Sequence, residues 1–444
     1  MKITFIEPKY KFNGFNVGWI NQLPMLGPLY LGTILKERGH EVEIYKEEIK
    51  EPKKLDCDIL CLYALTSTAP RAYEIAKKFK EENPNKKVLI GGPHATALPH
   101  EALKYADHVV LNEAESVIVD LIEGRITDKI IPGGKYQELD TLQFPDFSLI
   151  KGLKRPINYF PIATSRGCPF MCEFCSVTTT FGHKYRFRST QNVIEELSMN
   201  KYKRIFFYDD IFCAVRPRIK ELLREMLNHG LEKPWMCQTR VEVAKDEELL
   251  KLMSDSKCDR IFIGLESVNP ESLKLYQKGQ TFNDIKGGIK KIRDYGIKII
   301  GSFVIGSDAD DKNTIKETID FCDETGIEYP LFNVLTPLPG TVTYNKLMAE
   351  GRIFTNDWDL YDLGHIVFHP KKMTAEELQT SYESIYKNLY FKNAWKSLSK
   401  VHLFKDFINP LKPIQSIKTI SWIKRRSNIG ANYAKSLASI SRPI

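Results

Sequence analysis

The feature that most restricts the fold is an alternation of short apolar strand patterns with amphipathic helix patterns, which runs through the chain twice. In the first pass, strand patterns at residues 2–7, 41–45, 58–64, 87–90 and 108–111 are separated by helix patterns at 27–38, 68–80 and 101–105. Strands joined by helical crossovers pair in parallel and need helices on both faces. Residues 1–140 are therefore predicted to form a Rossmann-like, doubly wound α/β domain. Residues 133–156 carry Pro145 and Pro156, lack clean periodicity and read as a linker. In the second pass, strand patterns at 159–164, 204–208, 235–239, 260–264, 298–304 and 329–335 make six strand–helix units. Residues 155–343 are predicted to form a partial (β/α)6 TIM barrel, whose functional groups belong at the C-terminal ends of the strands.

Residues 344–444 read as a mostly helical C-terminal domain. A capping box, Thr374-Ala-Glu-Glu377, opens a helix carrying Leu378, Tyr382, Ile385 and Leu389. No acidic residue follows Asp406, whereas Lys412, Lys418, Lys424, Arg425, Arg426, Lys435 and Arg442 lie among Ile414, Ile417, Ile420, Trp422 and Ile423. Such a tail fits an anionic membrane surface, or equally a terminal helix packed on the barrel with a solvated basic face. Pro410 and Pro413 interrupt its start.

The net charge of +8 is too mild to argue for nucleic acid. No run reaches the roughly 18 apolar residues of a membrane span. The first apolar stretch ends at Glu7, so no signal peptide is expected, and the protein is expected to be cytoplasmic, with membrane association through the tail as a further option. Nine cysteines, an odd number in a long chain, argue against a disulfide framework. Cys57, Cys61, Cys213, Cys237, Cys258 and Cys322 are scattered in apolar runs and are expected in the core.

The other three form Cys168-Pro-Phe-Met-Cys172-Glu-Phe-Cys175, after the first barrel strand. Three thiolates can hold three corners of a four-iron cubane and leave the fourth iron open to a ligand. A zinc site is the alternative. It would want a fourth ligand, for which His183 is nearest, and the spacing lacks the two close pairs of structural zinc knuckles.

This C-x3-C-x2-C run, after a strand and before a partial barrel, resembles the signature of the radical S-adenosylmethionine (SAM) superfamily. The resemblance implies a [4Fe–4S] cluster on Cys168, Cys172 and Cys175, whose open iron is chelated by SAM and whose electron cleaves it to a 5′-deoxyadenosyl radical. It places Phe174 near adenine, and Asp209 and Asp210, at the end of the second barrel strand, where the methionine amino group is received. It also places Glu266 at the ribose hydroxyls. Gly301-x-Phe303-x-Ile305-Gly306 looks like the family's adenine-side motif, with Gly301 and Ile305 as its contacts, although Ser307 and Asp308 replace the commoner proline turn. Arg240 reads as a carboxylate binder or as a surface salt bridge.

The N-terminal domain lacks G-x-G-x-x-G and so is not a standard dinucleotide site. Leu26-Gly-Pro-Leu-Tyr-Leu-Gly32, Ala64-Leu-Thr-Ser-Thr68, Gly91-Gly-Pro-His-Ala-Thr96 and Asn112-Glu-Ala-Glu115 resemble the cobalamin-binding domain of the largest radical SAM subclass. That resemblance implies cobalamin contacts at Thr66, Ser67, Gly91, Gly92 and His94. No D-x-H-x-x-G is present, so no lower histidine ligand to cobalt is set up, and His94 reads equally as a turn-stabilising residue. With only Cys57 and Cys61 in this domain, the second cluster of methylthiotransferases is not expected. Leu335-Thr-Pro-Leu-Pro-Gly-Thr341, Glu350-Gly-Arg352 and Trp358-Asp-Leu-Tyr-Asp362 look like the branch that includes hopanoid lipid methylases, as does the basic, aromatic loop 181–189.

The expected function is cobalamin-dependent radical methylation of an unactivated carbon in a lipid-like or other small molecule. A reductase, flavodoxin or ferredoxin is the expected electron donor. The alternatives are a non-methylating cyclisation, rearrangement or carbon–carbon coupling on the same architecture, and a regulatory protein without turnover. Replacing any one of Cys168, Cys172 or Cys175 by Ala should abolish reductive cleavage of SAM by anaerobically reconstituted protein, read as 5′-deoxyadenosine formed. Full cleavage by one such variant would remove that cysteine from the site.

Overall fold

A computed structural model describes residues 1–11, 23–134, 138–153, 157–199, 201–385 and 437. The first alternation folds into one sheet of six strands, β1 (Lys2–Glu7), β2 (Glu41–Lys46), β3 (Ile59–Tyr63), β4 (Lys87–Gly91), β5 (His108–Leu111) and β6 (Ile130–Pro132). The order is β2-β1-β3-β4-β5-β6 and every pairing is parallel. Successive side chains feed opposite faces. Ile3, Phe5, Cys61, Leu89 and Val110 share a core with the helices Leu26–Glu37 and Ile118–Ile122, whereas Ile6, Leu60, Leu62, Val88 and Ile90 share another with the helix Ala69–Glu82. The order reverses between β1 and β3, so a crevice opens beyond their C-terminal ends. β6 was not expected from the sequence, because three residues are too few to show a period.

The segment read as a linker does more than connect. Leu139, Leu142, Phe147, Leu149 and Ile150 are buried, and the Phe147 ring lies 5.3 Å from that of Phe160 in the barrel. Leu139, Phe147 and Leu149 sit in two single-turn 3-10 helices, Leu139–Thr141 and Phe147–Leu149, and Leu142 and Ile150 directly follow them; such helices are too short for a hydrophobic period to reveal them.

The second alternation begins with β7 (Ile157–Ile162), followed by a short hairpin of β8 (Ser165–Arg166) and β9 (Arg186–Phe187). It continues with β10 (Tyr202–Phe207), β11 (Trp235–Thr239), β12 (Cys258–Glu266), β13 (Lys298–Ile305) and β14 (Tyr329–Val334). The sheet β7-β10-β11-β12-β13-β14 is parallel throughout, and among the described residues β7 and β14 do not pair, which leaves a six-stranded open barrel. Phe206, Met236 and Ile300 close its interior together with Phe262, Leu331 and, from the N-terminal part of the chain, Leu23. Helices cover the outside. One of them, Glu247–Asp255, starts where the Asp246 carboxylate accepts the Leu249 N–H at 3.0 Å.

After β14 the chain returns to the barrel. Leu347, Ile366, Phe368, Met373, Leu378, Tyr382 and Ile385 join the barrel's core, and Trp358, Tyr361 and Val367 pack with Leu98 of the N-terminal sheet domain. The Thr374–Glu377 capping box forms, with bonds of 2.9 and 3.0 Å. Leu389 and the basic tail from Lys412 lie outside the described residues. No helix among those described is long and apolar enough to cross a membrane. The six scattered cysteines are buried, as expected.

The C-terminal ends of β3 and β4 are stitched by their backbones: the Ala64 N–H donates to Gly91 O at 2.8 Å and the His94 N–H to Ala64 O at 3.1 Å. Gly92 has φ +101°, and a Cβ there would lie 2.8 Å from the Ala64 carbonyl oxygen. Gly92→Ala should therefore cost about 2–4 kcal/mol in urea unfolding, since it combines backbone strain with a contact that neither strand can relieve. A loss below about 0.5 kcal/mol would place it among ordinary surface substitutions and show that the stitch yields freely.

Candidate active site

The cysteine loop hangs on the β8–β9 hairpin, in which Ser165 faces Phe187 and Arg166 faces Arg186. Gly167, at φ +86°, leads into it; a Cβ there would lie 2.5 Å from the Lys184 carbonyl, so no side chain fits before Cys168. Inside the loop the Cys175 N–H donates to Cys172 O at 3.1 Å, folding the last two cysteines together. All three cysteines line a cavity of 310 Å³ at the C-terminal ends of the barrel strands. Burial raises the Cys168 thiol and pushes that of Cys175 up to about 12. As thiols they are neutral, and a bound cation is what converts such a set to thiolate ligands. His183 is exposed and is not on the cavity wall. Among the described residues no three Cys, His, Asp or Glu are gathered to share one ion. Three sulfur donors on one wall, opposite polar groups, are the donor set that an iron–sulfur cluster with an open iron requires.

The two adjacent carboxylates after β10 part company. Asp209 is buried away from the cavity and accepts from the Thr164 N–H at 3.1 Å, the Thr164 hydroxyl at 3.0 Å and the Ser165 hydroxyl. Asp210 lies on the cavity wall and has no hydrogen bond among the described residues. Burial, and then the charge of Asp209, push its carboxyl up to about 7. Glu266 also faces the cavity, at a register shift in β12 where its φ is +64°. It accepts from Lys278 Nζ at 2.6 Å, and both groups are buried. Phe174 lines the cavity with its ring edge-on to Tyr276 at 5.1 Å. The Arg240 guanidinium is 4.0 Å from the centre of the Phe170 ring and pairs with Glu242 at 2.6 Å, so its salt bridge forms within the cavity wall.

Gly301 and Ile305 are buried on the other face of β13. A Cβ on Gly301 would touch Leu265 at 2.9 Å, and it is Ser302 and Val304 that face the cavity. Asp308 pairs with Arg352 at 2.6 Å.

A second, smaller cavity of 170 Å³ opens at the β1/β3 reversal, between Tyr10, Leu65, Thr66, Ser67 and Pro93 on one side and Leu338, Pro339, Tyr361 and Asp362 on the other. Thr66 and Ser67 are thus brought to it. Gly91 and Gly92 are not; their backbones approach Ala64 rather than an open space. His94 is buried, 3.3 Å from Glu101, with its ring against Trp358 at 5.2 Å, and is absent from the wall. Ser176, Leu338 and Leu363 line both cavities, which therefore adjoin. Leu363 holds φ +65°, a costly conformation for leucine, with its carbonyl accepting the Val334 N–H at 2.9 Å.

Sequence reasoning missed Lys278, Gln238, Ser302, Asn333, Leu338 and Leu363, all on the larger cavity's wall. Gln238, Ser302 and Asn333 could have been found, since each is a polar residue inside an otherwise apolar strand. Asn333 donates to the Ser302 hydroxyl at 3.1 Å, while its Oδ1 and Arg240 Nη1 are buried without a partner. A buried orphan costs about 1–3 kcal/mol, and a polar ligand in the cavity would relieve it.

The family model described as the radical SAM superfamily matches residues 162–322, and that described as a B12 binding domain matches residues 21–122. An uncharacterized methyltransferase of Pyrococcus horikoshii is 30% identical over 83% of this chain and 88% of its own. The bacteriochlorophyllide d C-12(1)-methyltransferase of Chlorobaculum tepidum is 30% identical over 75% of each chain. The hopanoid C-3 methylase of Methylococcus capsulatus is 25% identical over 90% of this chain and 84% of its own.

The chain belongs to the radical SAM superfamily, in the branch that carries a B12-binding domain.

A radical SAM enzyme of this branch uses a [4Fe–4S] cluster, SAM and cobalamin. The three cysteines fit the cluster by donor type, and the larger cavity fits SAM by its unpaired carboxylate and orphan amide oxygen. The smaller cavity offers three hydroxyls, two phenols and a carboxylate at the strand-order reversal, where doubly wound sheets take their ligands.

Asp210 supplies a test by pH. Folded, it keeps its proton up to about pH 7; unfolded, it loses it near pH 4. The folded chain therefore holds more protons in that window, and its stability falls as pH rises through it. In protein prepared without cofactors, Asp210→Asn should flatten this fall by about 1–3 kcal/mol between about pH 4 and about pH 8, measured by urea unfolding. An unchanged slope would mean that Asp210 is solvated rather than buried.

Proposed function

We propose that the protein methylates an unactivated carbon of a largely apolar, multi-ring small molecule. Residues 155–343 take the cluster and SAM in the larger cavity, residues 1–140 take cobalamin at the smaller one, and Tyr361, Asp362 and Leu363 of the C-terminal domain close the site. The observation that carries this reading is that the two cavities share Ser176, Leu338 and Leu363, so a substrate between them would touch both ligands. The names of the Chlorobaculum and Methylococcus relatives, acting on bacteriochlorophyllide and hopanoid, support a rigid, mostly apolar substrate and favour methyl transfer over a cyclisation or coupling.

When bound, the cluster supplies the electron that cleaves SAM, the resulting radical removes a hydrogen atom from the substrate, and cobalamin supplies the methyl group. The chain's own part is placement. Cys168, Cys172 and Cys175 hold the cluster, and Asp210 accepts the methionine ammonium, whose charge draws it to the ionised form. Asp209, tied to Thr164 and Ser165, keeps the turn that presents Asp210. Glu266 takes the ribose hydroxyls with Lys278 fixing its carboxylate, and Phe174 packs at the adenine side. Gly301 and Ile305 support that wall from behind β13. Thr66 and Ser67 would hold cobalamin, with Gly91, Gly92 and His94 shaping the β3–β4 loops beside them. Leu338 and Leu363 exclude water from the junction.

A flavodoxin- or ferredoxin-type carrier, or a reductase, would reduce the cluster. The enzyme would act in the cytoplasm, and a lipid-like substrate would give the basic tail reason to meet a membrane surface.

Anaerobic reconstitution with iron, sulfide and hydroxocobalamin should leave about four irons and about one cobalamin per chain after desalting. Replacing Thr66 by Val together with Ser67 by Ala should lower retained cobalamin about tenfold, the worth of one or two hydrogen bonds, with iron unchanged. Four irons without cobalamin in the native protein would keep the radical chemistry and turn the reading to the non-methylating alternative.

A further inference from the structure

The hairpin that carries the cysteine loop has two residue pairs, Ser165 with Phe187 and Arg166 with Arg186. A two-stranded ladder that short does not hold itself in water. The barrel ties Ser165 to Asp209, and further support comes from the other sheet. Glu113, two residues beyond β5, accepts from Arg166 Nη1 at 2.8 Å and from Arg186 Nη1 at 2.9 Å through the same oxygen, Oε2. One carboxylate thus bridges both strands of the hairpin. Glu115 pairs with Arg166 at 2.6 Å, and the Arg166 guanidinium lies 5.3 Å from the centre of the Tyr30 ring on the helix Leu26–Glu37. Two anions from the N-terminal domain meet two cations from the barrel, and the set is shielded from water, with Glu113 and Arg186 side chains 2% and 4% exposed. The Glu113 end is rigid: the Asn112 N–H donates to the Thr96 hydroxyl at 2.9 Å, and the Glu113 N–H to Gly134 O at 3.3 Å.

We propose that Glu113 is a positioning residue for the iron–sulfur site, holding the loop that bears Cys168, Cys172 and Cys175 in place from the cobalamin-binding domain. Only Gly167 stands between Arg166 and Cys168. Removing the Glu113 charge leaves two buried guanidiniums with one anion fewer at the root of the loop, and local opening of the hairpin is the cheapest way to solvate them. The inference rests on reading these cysteines as cluster ligands. The geometry it concerns exists before any cluster is bound, so it can be tested without one.

The experiment uses full-length protein prepared without cofactors under anaerobic conditions, alkylated with iodoacetamide and followed cysteine by cysteine by mass spectrometry. Glu113→Gln keeps the side-chain size and removes the charge. It should speed alkylation of Cys168, Cys172 and Cys175 about tenfold, as expected for local opening. The buried Cys57, Cys61, Cys213, Cys237, Cys258 and Cys322 should keep their rates and serve as internal references for global unfolding. Glu196→Gln is the control, because it breaks the buried Arg188–Glu196 pair, which lies wholly within the barrel, and should leave the loop cysteines unchanged. Glu113→Asp, which keeps the charge with a shorter reach, should give an intermediate rate and reads the same quantity if the Gln variant does not fold. Native rates in the Glu113 variants would overturn the proposal. So would a rise shared equally by the six reference cysteines, or by the Glu196→Gln protein.

Discussion

Two parallel sheets present their C-terminal strand ends to a common space, and the rest of the architecture depends on the contact that holds them there. Parallel sheets are covered by helices on their faces, so the loops beyond the strand ends are what remain for binding. One such sheet yields one crevice. Here the smaller cavity draws residues from the loops after β1, β3 and β4 of one sheet and, opposite them, from segments after β7 and β14 of the other. Leu139, Leu142, Phe147, Leu149 and Ile150 fill the gap between the two domains, and the Glu113–Arg166–Arg186–Glu115 network fixes their orientation. Apolar filler is tolerant of small rotations, whereas a buried ion network is satisfied only at one setting.

Within the barrel, apolar and polar layers divide the labour. Phe206, Met236, Phe262, Ile300 and Leu331 seal the interior, and the next inward positions along the same strands are Gln238, Ser302 and Asn333. Polar side chains in a buried layer are costly unless something pairs with them, and among the described residues one of their atoms, Asn333 Oδ1, has no partner. The bend at Glu266 and the left-handed backbone at Leu363 add strain at the same place. Strain and an unpaired polar atom together on the wall of one cavity mark where the structure gives up stability to hold a ligand.

Some of the site was readable directly from the sequence, and the reason is local. Cys168, Cys172 and Cys175 are close in sequence, and Asp210 and Glu266 sit at the ends of strands whose apolar patterns reveal them. Other residues misled for equally physical reasons. Asp209 and Asp210 look alike as neighbours, yet successive residues leaving a strand point to opposite sides, and one meets Thr164 while the other meets the cavity. Gly301 and Ile305 belong to a recognisable motif but take the helix-facing side of β13. Gly91 and Gly92, which the resemblance puts at cobalamin, lie off the wall of the smaller cavity and against the backbone of Ala64. Lys278 carries no signal of its own, being one lysine among many until the fold sets it against Glu266.

By itself the sequence determined the two alternations, their parallel sheets, the order of the domains and the cysteine triad, because each is set by local periodicity or by spacing within a few residues. The tertiary structure alone decided that the two strand-end faces share a space, that the 139–150 stretch is packing rather than tether, and that Glu113 reaches across to the cysteine hairpin. Those outcomes depend on pairings between residues far apart in the chain, 73 positions for Glu113 with Arg186 and 257 for Trp358 with Glu101, and on which side of a strand each residue falls. Side-chain burial and charge pairing select among such arrangements only after the chain has folded, and no local pattern records the choice.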